Sequence, residues 1–329
     1  MLWARMSSHA AAPTPPQAVA LPPDLAAARV PAASLPRQRP ALGIGLVLAA
    51  TVFLACSDTT AKYLASSLPP IQIAWIRYFV FFLIILPAVM YQGPRRVLRS
   101  ARPGLQVFRG FGLVTSSILF ITGLRYLPVA EATATSFAAP LFITALSIPF
   151  LGERVGPRRW AATVVGLVGV LVVVRPGTSA FDPASILPLL SALGWASAVV
   201  ATRRTSAGDG AVTTLAYSAI VGVAVLTVLV PFVWITPDWH SVALATFIGF
   251  AATTGHWLIV LAFRYGDASV LAPFTYTQLV WVTLFGWIWF GAVPDRWTLV
   301  GAAVIAASGI YTAHRESVRA RERAARGEE

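Results

Sequence analysis

The chain has 329 residues, of which 57% are hydrophobic and only 12% charged, and its formal net charge is +12. Soluble globular chains carry about 25% charge, and a chain this apolar cannot cover its own surface with polar groups. A soluble enzyme, a secreted disulfide scaffold and a mainly disordered chain are thereby excluded, which leaves a polytopic membrane protein.

Residues 1–40 are rich in alanine and proline (Pro13, Pro15, Pro16, Pro22, Pro23, Pro31, Pro36, Pro40). Such a stretch cannot bury a core and reads as a disordered arm. It has no apolar run ahead of a cleavage site and is not read as a signal peptide; a true start further downstream is the alternative. Ten apolar windows follow, at 42–64, 70–91, 105–124, 129–150, 157–174, 184–202, 212–235, 241–263, 268–290 and 297–313. About 20 residues of helix, rising 1.5 Å each, cross the roughly 30 Å of bilayer hydrocarbon. The windows are solid apolar runs without strand alternation, so they are expected to be helices that satisfy their own backbone. The fifth and tenth are the shortest. Cys56 lies alone within the first window, so neither a disulfide nor a thiolate ligand set is expected.

Basic residues set the orientation. With the N-terminus inside, nineteen of the 25 Lys and Arg fall on cytoplasmic segments, and Arg125, Arg175 and Arg296 alone fall outside. Both termini are therefore expected in the cytoplasm, and residues 314–329 read as a charged cytoplasmic tail. This distribution between apolar runs also argues against a nucleic-acid partner.

The two halves echo each other. Arg125-Tyr126 ends the third window and Arg264-Tyr265 the eighth, and the same offset relates Leu151-Gly152 to Phe290-Gly291. Arg159-Trp160 corresponds to Arg296-Trp297. The expected units are residues 41–175 and 184–313, of five helices each. An odd number of spans inverts the second copy, and inverted repeats are a transporter architecture with the site near the midplane. A duplicated scaffold without transport is the competing explanation.

Charged groups within spans are costly and mark candidate sites. Asp58 and Lys62 are four apart and share a helix face. Asp58 and Arg77 lie at similar depths, about 9 and 10 Å from the outer ends of their spans. The three are expected to form one polar cluster in the outer half, which binds or gates substrate or simply pairs two helices. Glu131, at the outer end of the fourth span, and His256, in the inner half of the eighth, are proton-sensitive candidates. Arg109 is read as a cytoplasmic-end residue that snorkels or gates. Trp75, Trp195, Trp257, Trp281 and Tyr276 fall well inside spans and are candidates to line a cavity, with ordinary packing as the alternative. Pro140 and Pro273 are expected flexible points. Gly166, Gly169, Gly301 and Gly309 permit close packing of the fifth and tenth spans, within one chain or in a homodimer.

These stretches resemble the EamA branch of the drug/metabolite transporter superfamily, which has ten-helix permeases. The resemblance is carried by Ser57-Asp58-Thr59-Thr60-Ala61-Lys62-Tyr63-Leu64, Trp75-Ile76-Arg77-Tyr78, Arg109-Gly110 and Ala130-Glu131-Ala132. It continues with Ala139-Pro140-Leu141, Leu151-Gly152-Glu153-Arg154 and Val174-Arg175-Pro176-Gly177, then Ala272-Pro273 and Pro294-Asp295. It spans about residues 42–313. Where the family often has Gly-Glu at the end of the ninth span, this chain has Gly291-Ala292, so Glu153 lacks a counterpart. The resemblance implies a multi-pass protein of the inner (plasma) membrane that moves a small metabolite by alternating access, export being the commoner family activity. Asp58, Glu131 and His256 make protons a candidate coupling ion. No phosphate loop, HExxH or GxSxG is present, so no catalytic residue, metal or cofactor is expected. The alternatives are a membrane-embedded enzyme acting on a lipid or isoprenoid, and a non-transporting scaffold or sensor.

Overall fold

The computed structural model describes residues 40–152, 157–175, 181–205, 208–262, 265, 271 and 274–325. The N-terminal arm to residue 39, Glu153, Arg154, Arg264 and Pro273 lie outside the described residues. Every regular element among the described residues is helical. Seven helices are long and apolar enough to cross a membrane, and Thr163–Val174, Thr277–Phe290 and Arg296–Tyr311 are shorter apolar helices.

In chain order the helices are α1 (Pro40–Leu64), α2 (Pro70–Gln92), α3 (Pro103–Tyr126), α4 (Val129–Leu151, in two pieces) and α5 (Pro157–Val174). After them come α6 (Ile186–Thr205), α7 (Ala211–Leu229), α8 (Trp239–Ala262), α9 (Thr277–Phe290) and α10 (Arg296–Ala325). Prolines at the first turns of α2 and α3 start those helices where a missing N–H costs nothing. Gly152 and Gly291 close α4 and α9 in the left-handed region, at φ 68° and 64°, and a side chain there would be strained. The α10 helix runs past the apolar window into the charged tail.

The fourth span is not continuous. It breaks between Ser136 and Ala139, and Pro140 sits in the first turn of the second piece. Proline has no N–H to give to the preceding turn and disfavours helical backbone in the residue before it. The interruption therefore falls on the N-terminal side of Pro140.

The closest helix pairs are α1 with α8, α3 with α6, α5 with α10, α2 with α7, α4 with α6, α3 with α7, α1 with α9, and α2 with α8. Each pair joins a helix of the first half to one of the second. When every helix is exchanged for the one five places along, α1·α8 becomes α6·α3, α4·α6 becomes α9·α1, and α3·α7 becomes α8·α2. The α2·α7 and α5·α10 pairs map onto themselves. The two halves thus use their helices in equivalent ways, and the main core forms between them from α1, α2, α3, α4, α7, α8 and α9.

Small residues let the backbones meet at these crossings. A Cβ on Gly112 would lie 2.9 Å from the Gly194 carbonyl, and one on Gly194 would lie 3.0 Å from the Gly112 carbonyl. The same reciprocity joins Gly169 of α5 to Gly301 of α10, at 3.0 and 2.6 Å. These α5 and α10 glycines serve a contact within one chain.

Candidate functional site

Asp58 of α1 is the centre of the polar groups that the fold brings together. The Gln278 Nε2 of α9 donates to its Oδ2 at 2.9 Å. About two turns toward the start of α1, Thr51 and Thr277 share a hydroxyl–hydroxyl bond of 3.0 Å across the same helix pair. Arg77 of α2 stands close enough to act electrostatically on Asp58, on Tyr78 and on His256 of α8. His256 Nδ1 is 2.7 Å from the Ala252 carbonyl. A carbonyl only accepts, so Nδ1 carries the proton in the neutral ring and Nε2 is left as an acceptor. The imidazole lies against Trp195 of α6, with ring centroids 5.7 Å apart.

The expected cluster of Asp58, Lys62 and Arg77 needs correction at Lys62. Its Nζ donates to the Leu127 carbonyl at 2.9 Å, and no ion pair joins Asp58 to either cation among the described residues. Leu127 caps the end of α3, where the last carbonyls of a helix lack intrahelical partners. Lys62, in the last turn of α1, satisfies that end instead of pairing with the carboxylate one turn back.

The midspan aromatics divide. Trp281 belongs to the inter-half core and stacks on Phe285 at 6.3 Å. Its indole N–H is buried without a partner, as are the hydroxyls of Thr59, Ser117 and Thr133. Trp75 instead donates to the Thr227 hydroxyl at 2.9 Å, stacks on Phe79 and meets Trp234 edge-on, so it seals α2 against the end of α7. Trp257 is 60% exposed on α8 and faces outward. Tyr276 packs on Phe137 at 5.0 Å and its hydroxyl covers Gly309, in the smaller core that contains Val170 and Ile305. Trp75, Trp257 and Tyr276 are therefore packing or outward-facing groups, and Trp281, in the inter-half core, lies one turn along α9 from Asp58's partner Gln278.

At the end of the bundle where α5 closes and α10 begins, Glu131, Arg175 and Asp295 line a cleft of about 220 Å³ together with Val129, Val282 and Gly286. Arg175 and Asp295 form an ion pair at 2.7 Å, joining the end of α5 to the start of α10. Asp295 also accepts the Thr298 backbone N–H at 2.8 Å. Burial opposes ionisation of Asp295, but that bond and Arg175 outweigh it and hold its carboxyl below the usual range. Ser185 donates to Glu131 at 3.3 Å.

At the other ends, Asp209 in the α6–α7 loop accepts from the Ser100 hydroxyl at 2.5 Å, the Ala101 N–H at 2.8 Å and Gln106 at 2.7 Å. Arg109 reaches from α3 to the Thr202 hydroxyl at 2.7 Å, the Thr214 carbonyl at 3.1 Å and Ser218. It thus turns into the bundle and does not snorkel. Burial opposes charge on Asp209, yet its three donors prevail and keep its carboxyl below the ordinary value. A depressed folded value means that the clip is fully formed above about pH 4, the unfolded carboxylate range, and is lost as pH falls through the lower folded value. Exchange protection of the Ala101 amide is expected to hold from pH 7 to 5 and to fall at more acid pH. In Asp209→Ala the protection should be low at pH 7 already; unchanged protection in that variant would contradict the clip.

Sequence reasoning missed Gln278, Gln72 and Asp209, whereas Trp195 was among the midspan aromatics it named. Gln72 makes a two-bond clasp on the Ile235 backbone, at 2.7 and 3.0 Å. A search confined to charged residues passes over amides, although a lone glutamine in an apolar run also needs partners in a bilayer.

The sequence pattern of the EamA-like transporter family matches residues 41–175 and again 183–313. The S-adenosylmethionine uptake transporter of Rickettsia felis is 31% identical, over 83% of this chain and 93% of that one. A riboflavin transporter of Vibrio cholerae is 30% identical, over 87% and 97%. The pseudopaline exporter CntI of Pseudomonas aeruginosa is 27% identical, over 80% and 93%. A solved crystal structure at 20% identity shares the fold, with a TM-score of 0.59 over 83% of this chain and 98% of that one.

Proposed function

From the premise that this chain belongs to the EamA-like transporter family, we propose that it is a secondary transporter of ten membrane helices, built as two inverted five-helix repeats with both termini in the cytoplasm. It moves a small metabolite across the inner membrane as the halves rock against each other. The observation that carries this reading is the packing: the main helix pairs run between halves and map onto one another on exchange, the arrangement that alternating access uses. Polar clips between the halves at both ends support it. The Arg175–Asp295 pair and the Gln72 clasp lie at one end, and the Asp209 network lies at the other. A rocking cycle needs one set to open while the other holds.

The substrate site centres on Asp58, with Gln278, Arg77, His256, Trp195 and Trp281 around it. The unpartnered hydroxyl of Thr59, next to Asp58 in the chain, and the indole N–H of Trp281, one turn from Gln278, support a polar occupant, because buried donors are nearly always satisfied. Relatives at about 30% identity are named for S-adenosylmethionine uptake and riboflavin transport, which favours a nitrogen-rich heterocyclic metabolite and uptake as the direction to assay first. The export expected from the family at large has a counterpart in the pseudopaline exporter. The test is counterflow into proteoliposomes of the purified full chain, with labelled S-adenosylmethionine and labelled riboflavin. Accumulation of either above that of protein-free vesicles is expected. Failure of both, with metabolite profiles unchanged on deletion of the gene, would overturn the reading.

A further inference from the structure

The outer cleft is built for charge, and we infer that it is a reception site for a positively charged organic group of the solute, which Glu131 and Asp295 receive as Arg175 yields its place. This inference rests on the transport reading and adds a charge class to it.

The charges that act on Glu131 are those of Arg175, Asp182 and Asp295. Among the described residues, two carboxylates and one guanidinium line the cleft itself, and the Asp182 carboxylate acts on Glu131 from beside. That guanidinium is engaged by Asp295 at 2.7 Å, whereas Glu131 receives a 3.3 Å bond from Ser185. An ionised carboxylate has about four acceptor positions, so Glu131 has capacity for a cationic donor on the wall of an open cleft. The volume, about 220 Å³, is far above the roughly 10–15 Å³ that one water needs. That accommodates a substituted ammonium-type head group.

One wall of the cleft lies on the same face of α9 as the polar centre. Gly286 and Val282 line it, and Gln278 lies four residues further in, so the three share one face of α9. Gln278 is the residue that donates to Asp58. Eight residues at 1.5 Å each place the cleft wall about 12 Å from that amide. On α4, Val129 lines the cleft, and Thr133, 3% exposed with an unpartnered hydroxyl, is one turn further in. A Cβ built on Gly286 meets nothing within 4 Å, so the absence of a side chain there leaves open space in the cleft wall.

The test needs no knowledge of the solute. In the full chain with Cys56→Ala, Val293→Cys places a thiol on the cleft at a position 73% exposed. Its rate of modification in detergent solution is measured with a trimethylammonium methanethiosulfonate and with its sulfonate counterpart. Ser66→Cys, on an exposed loop away from the cleft, is the reference. We expect the cationic reagent to gain at least about tenfold over the anionic one relative to the reference, the lower end of electrostatic focusing in a charged cleft. Glu131→Gln should reduce that preference several-fold, and millimolar choline should slow the reaction more than sodium chloride of equal ionic strength. Gly286→Leu should slow both reagents. A ratio near one, or equal protection by choline and sodium chloride, overturns the inference. If Val293→Cys does not elute as folded protein, Ala292→Cys on the same wall serves as the reporter. A cation preference in a chain that moves no solute would leave the site standing and sink the transport reading; flux with no preference would do the reverse.

Discussion

Asp58→Asn is expected to lower solute flux by about 10- to 150-fold while leaving the protein folded. The carboxylate is held between α1 and α9 by Gln278 at 2.9 Å, with Arg77 acting on it from α2. Hydrogen bonds to a charged group contribute about 1.5–3 kcal/mol, and each 1.4 kcal/mol is a factor of ten. Asparagine keeps the shape and can still accept from Gln278, so the loss should be one of function. Counterflow rate against the amount of monodisperse protein separates the two. Gln278→Leu should behave differently. It leaves a half-buried carboxylate without its donor, which costs about 1–3 kcal/mol, so both the flux and the yield of folded protein should fall. Wild-type flux in Asp58→Asn would remove Asp58 from the path.

Gly194→Leu is expected to have the largest effect on stability. The Gly112 carbonyl stands 3.0 Å from the Cβ position, and the Ser116 backbone N stands 3.3 Å from it. The obstruction is backbone, which cannot turn aside, so α3 and α6 must separate. That would also break the Ser116–Ser191 hydroxyl pair, 3.0 Å apart, and the 2.8 Å bond from Ser191 to the Ser116 carbonyl. Overpacking typically costs about 1–3 kcal/mol, and the lost bonds add about 1 kcal/mol each. Gly45→Leu is the control, because a Cβ there meets nothing within 4 Å. Thermal unfolding in detergent should shift down by several degrees in Gly194→Leu and remain unchanged in Gly45→Leu. Equal melting of both variants would show that the α3–α6 crossing contributes little.

The helices were largely legible in the sequence. Windows 70–91, 105–124 and 241–263 reappear as Pro70–Gln92, Pro103–Tyr126 and Trp239–Ala262, because the bilayer demands a continuous apolar run. The break in the fourth span was less so: Pro140 pointed to it, but the interruption lies at the residues before the proline. Asp58 was legible because a charge within a span stands out against its cost. The direction of each side chain was not. Helices that are apolar all round carry no face in their sequence, so Trp257 and Trp281 looked alike, although one faces outward and the other joins the inter-half core. Lys62 was placed with Asp58 by spacing alone. The carbonyl it serves, that of Leu127, becomes its neighbour only once α1 packs beside the junction of α3 and α4. Gln278 lies 220 residues from Asp58, a pairing that no local pattern encodes.

The central claim is that this chain moves a metabolite along a path through Asp58. The most direct measurement compares metabolites inside and outside cells of a deletion strain, the same strain with the gene restored, and one restored with Asp58→Asn and Arg77→Gln at equal expression. The account predicts that at least one nitrogen-rich metabolite shifts across the membrane on deletion, returns with the wild-type gene and does not return with the double variant. Full restoration by the double variant, or no shift of any solute on deletion, would contradict it.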